Sequence, residues 1–299
     1  MFGLRNIAVS ILACSALSAA GVFNFEPPTY AGTPGGTSIA GQNGWTTPTG
    51  NAFVYTYAGN APGFSAAPAG GTQFLGASSS NPSPGSTPPA SRARQALDLS
   101  AGTLWNMTFD VAALNGGVTD NTGIFNFGSI PILDSSANGI MMSQVLIWDS
   151  SSAGSTFSFE DIGYDVAGNP NFIITPGNPG SAFTGLSQNT WYRVSVVFDL
   201  NLNKIVTESI RDLTHNGATN TYAINPSFFL DGGAANPQTA TQFGLTTVAN
   251  GVNGSTNSIG LDNVSFVSTG AAPEPATWSM LALTLATACA ARTIRPKRR

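Results

Sequence analysis

Trp191-Tyr192-Arg193-Val194-Ser195-Val196-Val197-Phe198-Asp199 alternates apolar and polar side chains along its length. A two-residue period puts Tyr192, Val194, Val196 and Phe198 on one face and Arg193, Ser195 and Asp199 on the other, as a half-buried β-strand requires. Leu104 to Val111 repeats the pattern, with Trp105, Met107, Phe109 and Val111 facing inward. Outward from these two runs lie further strand-like segments at 52–57, 122–127, 140–148, 156–160, 204–210, 242–248 and 258–267. Turn clusters separate them: Asn115-Gly116-Gly117, Gly168-Asn169-Pro170, Pro176 to Gly180 and Asp231-Gly232-Gly233. No interior segment sustains a helical period. Many short strands with Gly- and Pro-rich turns predict an all-β fold, a β-sandwich jelly roll. Ser78 to Ser91, rich in Ser and Pro, reads as an exposed loop between two strands.

The two ends differ from this body. Arg5, the apolar run Ile7 to Leu17 and Ser18-Ala19-Ala20 form an N-terminal signal peptide over 1–20. Residues 21–269 form the sandwich domain, and 270–299 a C-terminal segment of three parts. These are Pro273-Glu274-Pro275, an apolar helix over 276–291, and a basic tail over 292–299 holding Arg292, Arg295, Lys297, Arg298 and Arg299. As a helix the apolar run spans about 24 Å at about 1.5 Å per residue. A bilayer core is about 30 Å thick, so this is a marginal span that a snorkelling Arg292 lengthens. Basic residues beyond the span predict that this end stays cytoplasmic, with the body on the other side of the inner membrane.

The only cysteines are Cys14, in the signal, and Cys289, in the tail helix, so the body has no thiol chemistry and no disulfide. Of eleven Lys and Arg, Arg5 and five tail residues lie outside the body, which keeps five against fourteen of the fifteen acids. A domain of net charge −9 is a poor partner for nucleic acid or an anionic membrane.

Pro273-Glu274-Pro275-Ala276-Thr277, the apolar helix and the arginine-rich end resemble the PEP-CTERM sorting signal of Gram-negative bacteria, a tail also called the ice-binding protein C-terminal domain. The resemblance implies handling by an exosortase, a transient hold in the inner membrane, and a cell-surface or extracellular-matrix destination in biofilm. An ordinary C-terminal anchor is the alternative. In the body, Phe25 to Tyr30 with Gly41-Gln42-Asn43-Gly44-Trp45 looks like the opening of concanavalin A-like, laminin-G-type jelly rolls. Trp191 to Asp199 resembles a middle strand of that fold, and Gly260 to Phe266 its closing strand, which commonly pairs near the opening one.

Hydrolytic members of that superfamily carry paired carboxylates on one strand face. Here Glu160 and Asp161 are adjacent and face opposite ways, and Gly163 intervenes before Asp165. His215 is the single histidine, in a turn, and no Gly-x-Ser-x-Gly elbow occurs. Zinc lacks ligands for the same reason. Calcium, which takes carboxylate and carbonyl oxygen, has candidate ligands in Glu26, Asp262 and Asn263, in the opening and closing segments that the resemblance joins. Trp45, Trp191 and Arg193 are the candidate glycan contacts, as ring platforms beside a cation. These residues predict a non-catalytic structural or adhesive sandwich with no enzymatic activity. The alternative is a carbohydrate-binding module on exopolysaccharide, and behind that a glycoside hydrolase.

Overall fold

The computed structural model describes residues 19–269 apart from 69–70, 81–89, 116–124, 135–138, 149–155, 175–180, 226, 235–238 and 249–255. The sorting motif, the tail helix, the basic tail and most of the signal segment lie outside the described residues. Among those described, no helix is long and apolar enough to cross a membrane.

Among the described residues the strands run in order: β1 (Ala19–Phe23), β2 (Thr37–Ser38), β3 (Thr46–Thr49), β4 (Ala52–Thr56), β5 (Gln73–Ser80) and β6 (Ser91–Ala96). Then come β7 (Leu104–Asn115), β8 (Phe125–Asp134), β9 (Met142–Trp148), β10 (Thr156–Tyr164), β11 (Pro170–Ile174) and β12 (Leu186–Ser187). The series closes with β13 (Tyr192–Asp199), β14 (Lys204–Asp212), β15 (Asn220–Ala223), β16 (Ala240–Thr247) and β17 (Thr256–Ser268). The first sheet has the order β15-β14-β13-β7-β17-β5-β4-β2, with β1 also on β17; the second has β11-β10-β9-β8-β16-β6-β3, with β12 on β10. All the pairings between these strands are antiparallel, and the two sheets face each other as a sandwich.

The alternation from Tyr192 to Asp199 is realised in β13, whose residues are buried and half-buried by turns. Val194, Val196 and Phe198 meet Trp105, Met107 and Phe109 from the neighbouring β7 in the main core. From the facing sheet come Phe127, Leu146, Trp148, Phe157 and Phe243. Rings dominate this core because each removes a large apolar area from water. The closing strand pairs with β1, from Ala19 opposite Val267 to Phe23 opposite Val264, while Phe25 to Tyr30, read as the opening segment, follows β1 outside any strand. Ala19 and Ala20, assigned by sequence to the signal, therefore lie within β1.

Two expectations change. Ser78 does not open a loop: β5 continues to Ser80, paired on β17 from Leu75 opposite Leu261 to Ser80 opposite Thr256. A run of serines holds as a strand because its backbone is bonded and Ser78 Oγ meets Ser258 Oγ at 2.8 Å. The outer face of the first sheet is also not uniformly polar. A second apolar cluster lies there, with Tyr55, Tyr57, Phe64, Phe74 and Trp191 packed over Ala112. The segment after β4 folds over the sheet to cover it, and Asn60 fixes its turn through bonds to Tyr57 O, Phe64 O and Phe64 N. Gly260 makes room below, since a Cβ there would lie 2.9 Å from Trp191 Cη2.

Candidate functional site

Strand β6 carries two arginines at i and i+2, on the same face by alternation, with Ala93 between them pointing into the core. Arg92 is exposed; Arg94 is buried. Neither has a carboxylate partner among the described residues, where Arg193 pairs with Asp110 and His215 with Asp212. Arg94 Nη1 donates to Ala93 O at 2.9 Å and Leu245 O at 3.2 Å, and Nη2 to Thr246 Oγ1 at 3.1 Å. The guanidinium lies flat against β16, where a Cβ on Gly244 would be 2.5 Å from Nη1. Burial and then the neighbouring Arg92 charge lower the Arg94 pKa to about 10. The site therefore presents positive charge that no described carboxylate pairs with.

Strand register extends this site across the outer face of the second sheet. Arg92 is opposite Thr246, Thr246 opposite Ser129, Ser129 opposite Val145, and Val145 opposite Glu160. With strands about 4.8 Å apart, the row is about 19 Å long from its cation to its carboxylate. A parallel row runs Arg94–Gly244 on β6 and β16, and Pro131–Ser143–Ile162 on β8, β9 and β10. Ser143 is 1% exposed and its Oγ has no hydrogen-bond partner, a buried hydroxyl on this face left unsatisfied by the protein. Thr46 and Thr49 of β3 flank the arginines at the edge.

The sequence-predicted residues fall elsewhere. Trp45 is 1% exposed and packs in the core against Phe23, Phe25 and Phe243, its indole N–H donating to Tyr30 Oη. Trp191 is fully buried under the segment after β4, with Nε1 donating to Ser65 O at 2.7 Å. Neither ring can act as a platform, because its faces are already used in packing. Arg193 is half-exposed but committed, donating from Nε and Nη2 to the two Asp110 oxygens at 2.7 and 2.8 Å. That bond chiefly raises its pKa.

Glu26, Asp262 and Asn263 do come together, as part of a larger network. Asp262 Oδ2 accepts from Tyr57 Oη at 2.9 Å and Oδ1 from Asn263 N at 2.8 Å, while Asn263 Nδ2 donates to Asp110 Oδ2. Glu26 Oε1 accepts from Thr72 N and Gln73 N, and Oε2 from Thr72 Oγ1. The Glu26 and Asp262 carboxylates flank Gly71, where a Cβ would be 2.7 Å from one and 3.6 Å from the other. Burial, then the Asp110 and Glu26 charges, raise Asp262 to about 8 against the pull of its hydrogen bonds. Among the described residues no group of three His, Cys, Asp or Glu side chains is placed to hold a metal ion.

Glu160 and Asp161 point to opposite faces, as alternation requires. Asp161 enters the sandwich interior, where Gln144 Nε2 donates to Asp161 Oδ1 at 2.9 Å and to Glu208 Oε1 at 3.0 Å. This contact ties β9 and β10 to β14 of the other sheet. Burial raises Asp161 to about 7 and holds Glu208 well above the usual carboxylate range, the neighbouring acid adding to it. Asp165 caps its own turn, accepting from Ala167 N and Asn169 N. His215 is exposed in the turn after β14, 2.8 Å from Asp212.

No protein-family model matches the chain, and no curated protein matches it. Among solved structures, it is similar to the PL-14 alginate lyase from Aplysia kurodai, at 12% identity over 84% of this chain and 99% of that one, with a TM-score of 0.48. The endo-β-1,4-glucuronan lyase from the fungus Trichoderma reesei is 12% identical over 86% and 99%, with a TM-score of 0.44. An endo-acting O-glycanase structure from human gut microbiota is 11% identical over 84% and 99%, with a TM-score of 0.46. These likenesses concern the sandwich architecture. All three bear lyase or glycanase names, which the expectation of a body without enzymatic activity did not foresee.

Proposed function

We propose that this chain is an exported polysaccharide-acting protein that grips an acidic glycan across the outer face of the second sheet. The observation that carries the reading is the pair Arg92 and Arg94, which share one face of β6 and have no acidic partner among the described residues of an acidic domain. Carboxylates on a polyuronate would supply the missing charge, and Thr46, Thr49 and Ser129 place hydroxyls beside the arginines and along the row. Neutralising a uronate carboxylate also acidifies the neighbouring carbon, so the same pair would stabilise the charge that develops when such a chain is cleaved by elimination. The PEP-CTERM-like tail fits this destination: an exosortase would release the protein from the inner membrane among extracellular polysaccharides. The test is binding and cleavage of polyuronates by the full chain, with a neutral glucan as control. Binding that weakens with salt, ultraviolet-absorbing unsaturated ends, and loss of both in Arg92→Ala/Arg94→Ala would support it. Equal binding of neutral and acidic polymers by the wild type would sink it.

A further inference from the structure

The opposite sheet carries a second, uncharged cavity of about 380 Å³, near the lower end of ligand-pocket sizes of about 300–1,000 Å³. Its floor is a cross-strand row, Leu114 of β7 opposite Ser258 of β17 opposite Ser78 of β5. Tyr55 forms one wall, and Pro62 and Thr256 lie at the sides. Every lining residue is neutral.

Tyr55 is held tightly. Its ring stacks on Phe74 with centroids 5.5 Å apart, and it passes between two glycines, where a Cβ on Gly36 or Gly76 would fall 2.6 or 2.7 Å from ring carbons. The side chain is 6% exposed and lines the cavity, and its hydroxyl has no hydrogen bond to another described residue. A hydroxyl fixed by packing and without a partner among the described residues is left to bond water or an incoming ligand. The Ser78 and Ser258 hydroxyls bond each other and keep acceptor capacity for an incoming O–H. Leu114 and Pro62 offer apolar surface beside them.

We infer that this cavity is a subsite for a single neutral sugar ring, distinct from the arginine face. Hydroxyls on Tyr55, Ser258, Ser78 and Thr256 would exchange hydrogen bonds with the sugar's equatorial O–H groups, and Leu114 would meet its C–H face. A uronate would be disfavoured, because no described residue lining the cavity is a cation that could balance a desolvated carboxylate.

The experiment is titration of the full chain with methyl glycosides of neutral hexoses, followed by NMR, alongside Tyr55→Phe, Ser258→Ala and Arg92→Ala. Tyr55→Phe keeps the ring and removes only the hydroxyl, so folding is retained. Expected is saturable binding of at least one neutral glycoside, about tenfold weaker in Tyr55→Phe and in Ser258→Ala, and unchanged in Arg92→Ala. Three results overturn the inference: no neutral glycoside binds; binding survives both cavity substitutions; or Arg92→Ala abolishes it, which would place the sugar on the other sheet. Failure of polyuronate binding would leave this subsite standing, since the two faces share no residue.

Discussion

Asp262 lies directly opposite Asp110 in the β17–β7 register, and the two carboxylates are given different partners. Asp110 takes the Arg193 fork, whereas Asp262 takes a phenol and a backbone amide. Of the two adjacent acids, Asp110 alone takes the cation. The burden falls on Asp262, whose burial and proximity to Asp110 and Glu26 favour its neutral form.

That asymmetry sets a pH dependence. Asp262 titrates near 8 in the folded chain against 3.8 unfolded. The folded state therefore holds a proton that the unfolded state releases, and stability falls as pH rises between those two values, by at most about 1.4 kcal/mol per pH unit. Asp262→Asn should flatten that decline in melting curves recorded across the interval. An unchanged slope would show that another group dominates.

The interior pair works in the same direction. Asp161 titrates near 7 and Glu208 well above 4.5, so both favour the folded state at acid pH and lose that contribution as pH rises through neutrality. Glu208→Gln keeps a donor for Asp161 and cannot ionise, so its denaturation midpoint should vary less with pH than that of the wild type. Glu208→Ala leaves the Gln144 amide and Asp161 short of a partner in the core and should cost about 3 kcal/mol. Equal stability of the two variants would mean the bridge between the sheets contributes nothing.

The two arginines should separate by assay. Arg92→Ala, at an exposed site, should change stability by no more than about 0.5 kcal/mol while weakening polyuronate binding. Arg94→Ala should weaken binding and also cost about 1–3 kcal/mol, because Leu245 O and Thr246 Oγ1 lose a buried donor. Chemical denaturation beside a binding titration reads both quantities.

Trp191 should behave as core. Trp191→Ala is expected to cost about 3–5 kcal/mol. Gly260→Ala, which drives a methyl into the Trp191 ring edge, should cost about 1–3 kcal/mol. If Trp191→Ala folds with wild-type stability, the second apolar cluster is not a packed layer.

The strands with strict alternation were legible because each sees solvent on one face and core on the other. Leu104 to Val111 and Trp191 to Asp199 are both of this kind, and both lie in the sheet interior. β5 was hidden because its outward residues, Gly76 and Ser78, are chosen to let Tyr55 lie flat and to meet Ser258, and neither need appears as hydrophobicity. The Ser-Arg-Ala-Arg pattern of β6 was visible as two cations two residues apart. It was masked by the Ser- and Pro-rich run beside it, and its meaning depended on the absence of acids on β16 and β3, which only register reveals. Trp45 and Trp191 misled for a related reason. The polar residues around them belong to covering segments whose return over the rings no local period records.

The antiparallel pairing of β1 with β17 has a mechanical consequence. Ala19 is opposite Val267, so the chain enters and leaves the sandwich at one corner, about one strand spacing apart. Anything joined before Ala19 or after Ser268 hangs the domain from that corner. A leader and an anchor would then pull on the same hydrogen-bonded ribbon, and cutting either one would leave the domain suspended in the same attitude.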